Sequence, residues 1–161
     1  MEIANKNNVP TILNPAPAVT LPDEVYGLCD YFTPNETEAS FLAGIPVETT
    51  EQAREAGQIF IERGVKTAVI TLGENGVYVQ NSEISQHVPA FNMRDTVLET
   101  TGAGDAFNGG FAYALAEGMP LTEAVSYGSA TAAISVTRLG TAPAMPYKNE
   151  IQELLDSGKK K

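Results

Sequence analysis

Cysteine is nearly absent from this 161-residue chain, and that scarcity removes whole architectures. With Cys29 alone, no intramolecular disulfide can form and no cysteine-based zinc site can be built. The residue reads as a buried structural thiol. Histidine also occurs once, at His87, in an alternating strand-like segment outside every motif below. It reads as a surface or edge-strand residue rather than a catalytic one. Basic side chains are few: ten Lys and Arg stand against twenty Asp and Glu, a net charge of −10. That balance argues against non-specific binding to DNA, RNA or an anionic membrane. It leaves phosphate ligands open, because a cradle of backbone N–H groups needs no basic patch. No signal peptide and no apolar run of about 18 residues occurs, which favours a soluble cytoplasmic protein. A Gly-x-x-x-x-Gly-Lys-Ser/Thr loop is missing, and Gly102-x-Gly104 meets Phe107 where a third glycine would stand. Both the P-loop and the dinucleotide fingerprint are thereby excluded.

What is present is an ordinary globular balance, 43% hydrophobic and 19% charged, long enough to bury a core as one domain. That domain is expected over residues 1–157, with 158–161 a basic tail ending in Lys159, Lys160 and Lys161. Strands are expected at Val9–Leu13, Leu28–Thr33 (stopped by Pro34) and Lys66–Leu72. The run Ala68, Val69, Ile70 suggests burial on both faces. A hairpin is expected from Val77–Gln80 and Ile84–Val88 around Asn81-Ser82. Helices are expected at Glu36–Ala43, ended by Gly44, and after a Thr49 or Thr50 cap, with Ala53, Ala56, Phe60 and Ile61 on one face and Gly64 ending it. Further helices are expected at Ala103–Glu117, Thr122–Thr137 and Tyr147–Asp156. Small residues from Gly128 to Ala133 on the second of these suit close approach of a neighbouring backbone or a flat ligand. The alternation means an α/β domain with a mainly parallel sheet, whose ligands bind beyond the carboxyl ends of the strands. Asn14, Asn35 with Glu38, and Thr71-Leu72-Gly73 fall at such ends.

Thr100-Thr101-Gly102-Ala103-Gly104-Asp105 is a small-residue turn opening into a helix. Such a turn aims several N–H groups at one point at the positive end of the helix, an arrangement that holds phosphate. An acid in a first turn also suits the helix dipole by itself. Beside a bound phosphoryl group, however, Asp105 gains a second use: accepting the proton of an attacking hydroxyl.

Four motifs in order, Asn14-Pro15-Ala16-Pro17, Thr33-Pro34-Asn35-Glu36-Thr37-Glu38, Ile70-Thr71-Leu72-Gly73 and Thr101 to Gly109, resemble the ribokinase/fructokinase/adenosine kinase family of ATP-dependent carbohydrate kinases. The resemblance continues through Arg138-Leu139-Gly140 to Pro146. It implies a three-layer α/β/α ribokinase-like fold and transfer of phosphate from ATP to a sugar hydroxyl, ribose being the expected sugar. By the same resemblance Asp105 is the general base, and Gly102, Ala103, Gly104 and Asp105 form the anion hole. Asn35 contacts the nucleotide phosphates, and Glu38 orders Mg2+ through water. Thr71, Leu72, Gly73, Glu74, Asn75 and Gly76 line the ATP site, and Ser129 lies on the adenine side. A monovalent cation, K+, is implied at Glu99, Thr101, Ser135, Arg138, Gly140 and Ala144. Two departures stand out there: Glu99 replaces the usual Asp, and Ala144 replaces a common serine.

The resemblance covers only the nucleotide-binding half of such enzymes. The expected fold is therefore truncated, without the N-terminal half, its sugar-binding residues and its β-sheet lid. An exposed strand edge at Val9–Leu13 and an apolar face open to association follow. Three further readings stay beside the kinase: a non-catalytic nucleotide-binding fragment, a half-enzyme needing an N-terminal partner, and a purely structural domain. A homo-oligomer is open.

Overall fold

The structure is a computed structural model that describes residues 1–93 and 96–158. Its elements alternate as the sequence implies: α1 (Glu2–Lys6), β1 (Ile12–Leu13), α2 (Asp23–Tyr26), β2 (Tyr31–Phe32), α3 (Glu36–Ala43), α4 (Thr50–Glu62), β3 (Thr67–Thr71), β4 (Val77–Gln80), β5 (Ser85–Val88), α5 (Ala103–Ala116), α6 (Leu121–Ser135) and α7 (Lys148–Asp156). The chain divides into two compact units, one of Met1–Gly73 with Val77–His87, the other of Glu74–Gly76 with the chain from Val88 on.

In the first unit the strands lie in the order β1-β2-β3-β4-β5. β1, β2 and β3 run parallel, and β4 returns antiparallel to β3. The sheet is thus mixed, because the hairpin adds its strands next to β3. Asn81 makes that turn: its Oδ1 accepts from the N–H groups of Glu83 and Ile84, each at 2.8 Å. β1 and β5 are the two sheet edges, and His87 sits half-buried on the second of them.

The first two strands are shorter than expected, for local reasons. Asn8 takes a positive φ of 55°, and Pro10 has no N–H to give. Thr11 N–H then bonds the Asp30 side chain at 2.8 Å instead of a ladder carbonyl. Leu28 and Cys29 close the turn after α2, donating to Val25 and Tyr26 carbonyls, so β2 starts only at Tyr31. α2 itself escaped the sequence reading, although Pro22 followed by Asp23 and Glu24 is a helix-start signal.

α3 and α4 have the expected ends. Asn35 and Thr49 each cap with a reciprocal bond from the residue three on, Glu38 and Gln52. Gly44 closes α3 in the left-handed region at φ 72°. The α4 face Ala53, Ala56 and Phe60 is fully buried, while Ile61 is half-buried. Phe60 meets Phe32 edge-on at 5.0 Å and Tyr26 at 6.4 Å, an aromatic nucleus under the parallel strands. Thr67, Ala68, Val69 and Ile70 are buried on both faces of β3, as their composition implies. Cys29 is wholly buried, and burial together with neighbouring Asp30 pushes its thiol up to about 11. An inert structural role suits it.

The second unit is built on α5 against α6. The small residues of α6 serve a neighbouring helix here: a Cβ on Gly128 would stand 2.9 Å from the Phe107 carbonyl oxygen. Facing it on α5, a Cβ on Gly110 would stand 2.2 Å from Thr131 Oγ1. Arg138 pairs with Glu150, which also accepts the Tyr147 N–H at 2.8 Å and so fixes the start of α7.

Candidate active site

Three parallel strands of the first unit end side by side, and the loops leaving them are tied together. Asn14, just past β1, donates Nδ2–H to the Thr33 carbonyl at 3.0 Å. Thr71 N–H, at the end of β3, donates to the Pro34 carbonyl at 3.0 Å, and Asn35 bridges to Thr71 as an isolated parallel pair. The three expected strand-end features are therefore one rim. Glu38 is 7% exposed, and its Oε2 accepts the Asn35 N–H at 2.9 Å while Asn35 Oδ1 accepts the Glu38 N–H at 2.9 Å. With one oxygen committed to its helix cap, Glu38 fits contact with a hydrated cation better than a direct multidentate role. Leu72 is buried in the core, so only its main chain can face a ligand. Gly73 is exposed, as are Glu74 and Asn75.

In the second unit, Gly76 is held against another stretch of main chain: a Cβ there would stand 2.2 Å from the Val88 carbonyl oxygen. The Thr101-Gly102 turn opens α5 as expected. Gly102 is the N-cap at φ 80° and ψ 4°, a left-handed conformation that glycine adopts without strain. No side chain caps the helix. Ala103 N–H donates to the Thr100 carbonyl at 3.2 Å, so one of the four expected anion-hole donors already has a partner. Gly104 offers open space, nothing lying within 4 Å of a would-be Cβ, and Asp105 is exposed in the first turn. The arrangement leaves N–H groups at the positive end of α5 open to an anion, with a carboxylate beside them.

Two supports of this turn escaped the sequence reading. Asn108 Nδ2–H donates to the Gly104 carbonyl at 2.9 Å, one helical turn on. Thr141 packs on the other side, its Cγ2 being 3.1 Å from a Cβ placed on Gly102. The first was legible as an i, i+4 polar pair inside the motif; the second joins residues too far apart in sequence for any local signal.

Ser129 is 9% exposed, and its Oγ has no hydrogen-bond partner among the described residues. The six expected cation positions are in part adjacent. Gly140 N–H donates to Glu99 Oε2 at 2.9 Å across 41 residues of sequence. Ser135 Oγ–H is turned back on the Ala132 carbonyl at 2.8 Å, and the Arg138 guanidinium is engaged by Glu150. Ala144 is buried and Thr101 exposed. With Glu99 Oε2, Ser135 Oγ and Arg138 engaged within the chain, a monovalent cation there would draw chiefly on main-chain oxygens. Among the described residues, no group of three or more His, Cys, Asp or Glu is placed to hold a metal. Among the same residues, no helix is long and apolar enough to cross a membrane.

Comparison with known proteins bears on this geometry. The family described as pfkB family carbohydrate kinase matches residues 1–148. A ribokinase of Haemophilus influenzae is 44% identical over 155 residues, which are 96% of this chain and 50% of that protein. The crystal structure of ribokinase from Thermotoga maritima superposes with a TM-score of 0.84 at 40% identity, over 96% of this chain and 52% of that one. The structure of Arabidopsis thaliana ribokinase complexed with ribose and ATP superposes with a TM-score of 0.86 at 34% identity, over 96% and 50%. The chain spans about half the length of the curated relatives it matches.

Proposed function

Because the chain belongs to the pfkB family of carbohydrate kinases, we propose that it carries the nucleotide-binding rim and the general base of an ATP-dependent sugar kinase, with ribose as acceptor. The observation that supports this most is the uncapped N-terminus of α5, with space at Gly104 and the exposed Asp105 beside it. In this reading the Asp105 carboxylate accepts the proton of a sugar hydroxyl. The hydroxyl oxygen then bonds to the γ-phosphorus of ATP as the bond to the β-phosphate oxygen breaks and ADP leaves with that electron pair. N–H groups of Gly102, Gly104 and Asp105 face the charge that builds on the transferring oxygens. Asn35 and the Thr71–Gly76 turn receive the nucleotide, and Ser129 offers its unpaired hydroxyl to it. Magnesium, approached through water by Glu38, would supply positive charge against the phosphates. No step is assigned to potassium.

The test is calorimetric titration of the purified chain with magnesium-ADP, with Gly104→Asp as control. A Cβ at this position has no described atom within 4 Å, so the substitution introduces charge at the proposed anion hole from open space. Micromolar binding lost in the variant is the expected result. A folded chain that binds no nucleotide would overturn the reading.

The half-length match supports a second reading, in which turnover needs a separately supplied N-terminal half. Activity of the mixture, absent from either part alone, is its expected signature. Sugar-dependent turnover by this chain unaided would exclude it.

A further inference from the structure

Glu36 opens α3 at its first position, where a carboxylate normally serves only the helix dipole. Here it does something else as well. Its Oε1 stands 3.4 Å from the place a Cβ on Gly73 would occupy, so the carboxylate lies beside the open face of the turn that leaves β3. Gly73 is left-handed at φ 50°. Two main-chain ties hold this arrangement in register: the Thr71 N–H to Pro34 carbonyl bond, and the Asn35–Thr71 bridge immediately before Glu36. Glu38, two residues on, is turned back to its own helix cap. Of the two acids in this first turn, Glu36 is thus the one whose charge leans over the neighbouring strand exit.

We propose that Glu36 is a specificity residue that favours metal-bound over metal-free nucleotide. This rests on the reading above, in which the Thr71–Gly76 turn and Asn35 receive the phosphates. A carboxylate beside that turn repels bare di- or triphosphate. Its repulsion falls when a divalent cation cancels part of the phosphate charge. Removing one unit charge at such range, in a partly solvated rim, changes affinity by about three- to tenfold. Most of that change belongs to the more highly charged, metal-free ligand. A carboxylate acting only on the helix dipole would alter stability and leave the ratio of the two affinities unchanged.

The experiment measures dissociation constants for ADP with magnesium and for ADP with a chelator, by calorimetry on the full chain. Variants are Glu36→Gln, Glu36→Asp and, as a charge-matched control on the exposed face of α4, Glu55→Gln, each checked for folding by circular dichroism. Glu36→Gln is expected to tighten metal-free ADP by about three- to tenfold and magnesium-ADP less, lowering the preference ratio. Glu36→Asp keeps the charge but withdraws it from Gly73, so its ratio should lie at or near that of the wild type; Glu55→Gln should leave the ratio untouched. An unchanged ratio in folded Glu36→Gln, or the same change in Glu55→Gln, would overturn the role of Glu36 alone. Wild-type chain that binds ADP in neither form would overturn the nucleotide reading and this proposal with it.

Discussion

Gly110 and Gly109 are neighbours on α5, yet alanine should raise stability at Gly109 and not at Gly110. At Gly110 a new Cβ would lie 2.2 Å from Thr131 Oγ1, 2.8 Å from Thr131 Cβ and 3.2 Å from Gly128 Cα. Rotation about χ1 could swing the hydroxyl away, at the cost of its 2.8 Å bond to the Tyr127 carbonyl. It cannot move Thr131 Cβ, and Gly128 Cα is main chain. Carbon atoms pack at about 3.5–4.0 Å, so α5 and α6 must separate by roughly an ångström where they touch. Overpacking of this kind costs about 1–3 kcal/mol, and alanine's better helix propensity returns about 1 kcal/mol of it. The net loss is about 0–2 kcal/mol, or a fall in Tm of up to roughly 8 °C for a chain of this size. At Gly109 nothing lies within 4 Å, and only the propensity gain of about 1 kcal/mol remains. Thermal and urea unfolding of the two variants beside the wild type read both numbers. Gly110→Ala as stable as Gly109→Ala would refute the close contact between these helices. The consequence reaches the proposed site, since α5 begins at the Thr101-Gly102 turn and its first turn carries Asp105.

Asp105→Asn keeps the shape of the first turn and removes the proton acceptor, so turnover in a complementing system should fall by about a hundred- to ten-thousandfold. Magnesium-ADP affinity should stay within about threefold, as uncharged Asn neither blocks nor repels the phosphates; normal turnover in that assay would remove Asp105 from the mechanism. Acid sensitivity is expected at Asp30. Burial raises its carboxyl, but the Lys66 ammonium at 2.7 Å and both the N–H and the hydroxyl of Thr11 outweigh it and hold the group below the ordinary carboxylate range. The unfolded chain therefore takes up this proton at a higher pH than the folded one. The stabilisation is full above the ordinary carboxylate pKa and is lost as pH falls through the lowered one. In urea unfolding, the stability gap between wild type and Asp30→Asn should be constant from neutral pH down to about 5 and then shrink. A gap that widens toward acid would contradict the assignment.

The parts of this molecule that the sequence makes legible are those written in local chemistry. Asn35 with Glu38 three residues on, and Thr49 with Gln52, are capping pairs, and both helices start where those pairs place them. Gly44 ends one by turning left-handed while its N–H still donates to the Ser40 carbonyl. The run Ala68-Val69-Ile70 reads as a doubly buried strand because no polar residue interrupts it, and β3 is one. What the sequence hides depends on residues far apart. β1 is short because the Thr11 N–H finds Asp30, nineteen residues away, and no window of local pattern contains both. The tie of Glu99 to Gly140 and the packing of Thr141 on Gly102 are hidden in the same way. The small-residue stretch of α6 was ambiguous between a ligand and a neighbouring backbone, because absence of bulk says only that something comes close. At Gly128 that something is the carbonyl of Phe107, whereas at Ser129, one residue on, an enclosed hydroxyl still lacks a partner. Adjacent positions of one stripe thus face different neighbours, since each step along a helix turns the side chain by about 100°. The stripe as a whole therefore carries no single meaning. Helix contact explains its glycine, and only the unpaired oxygen of Ser129 asks for a ligand.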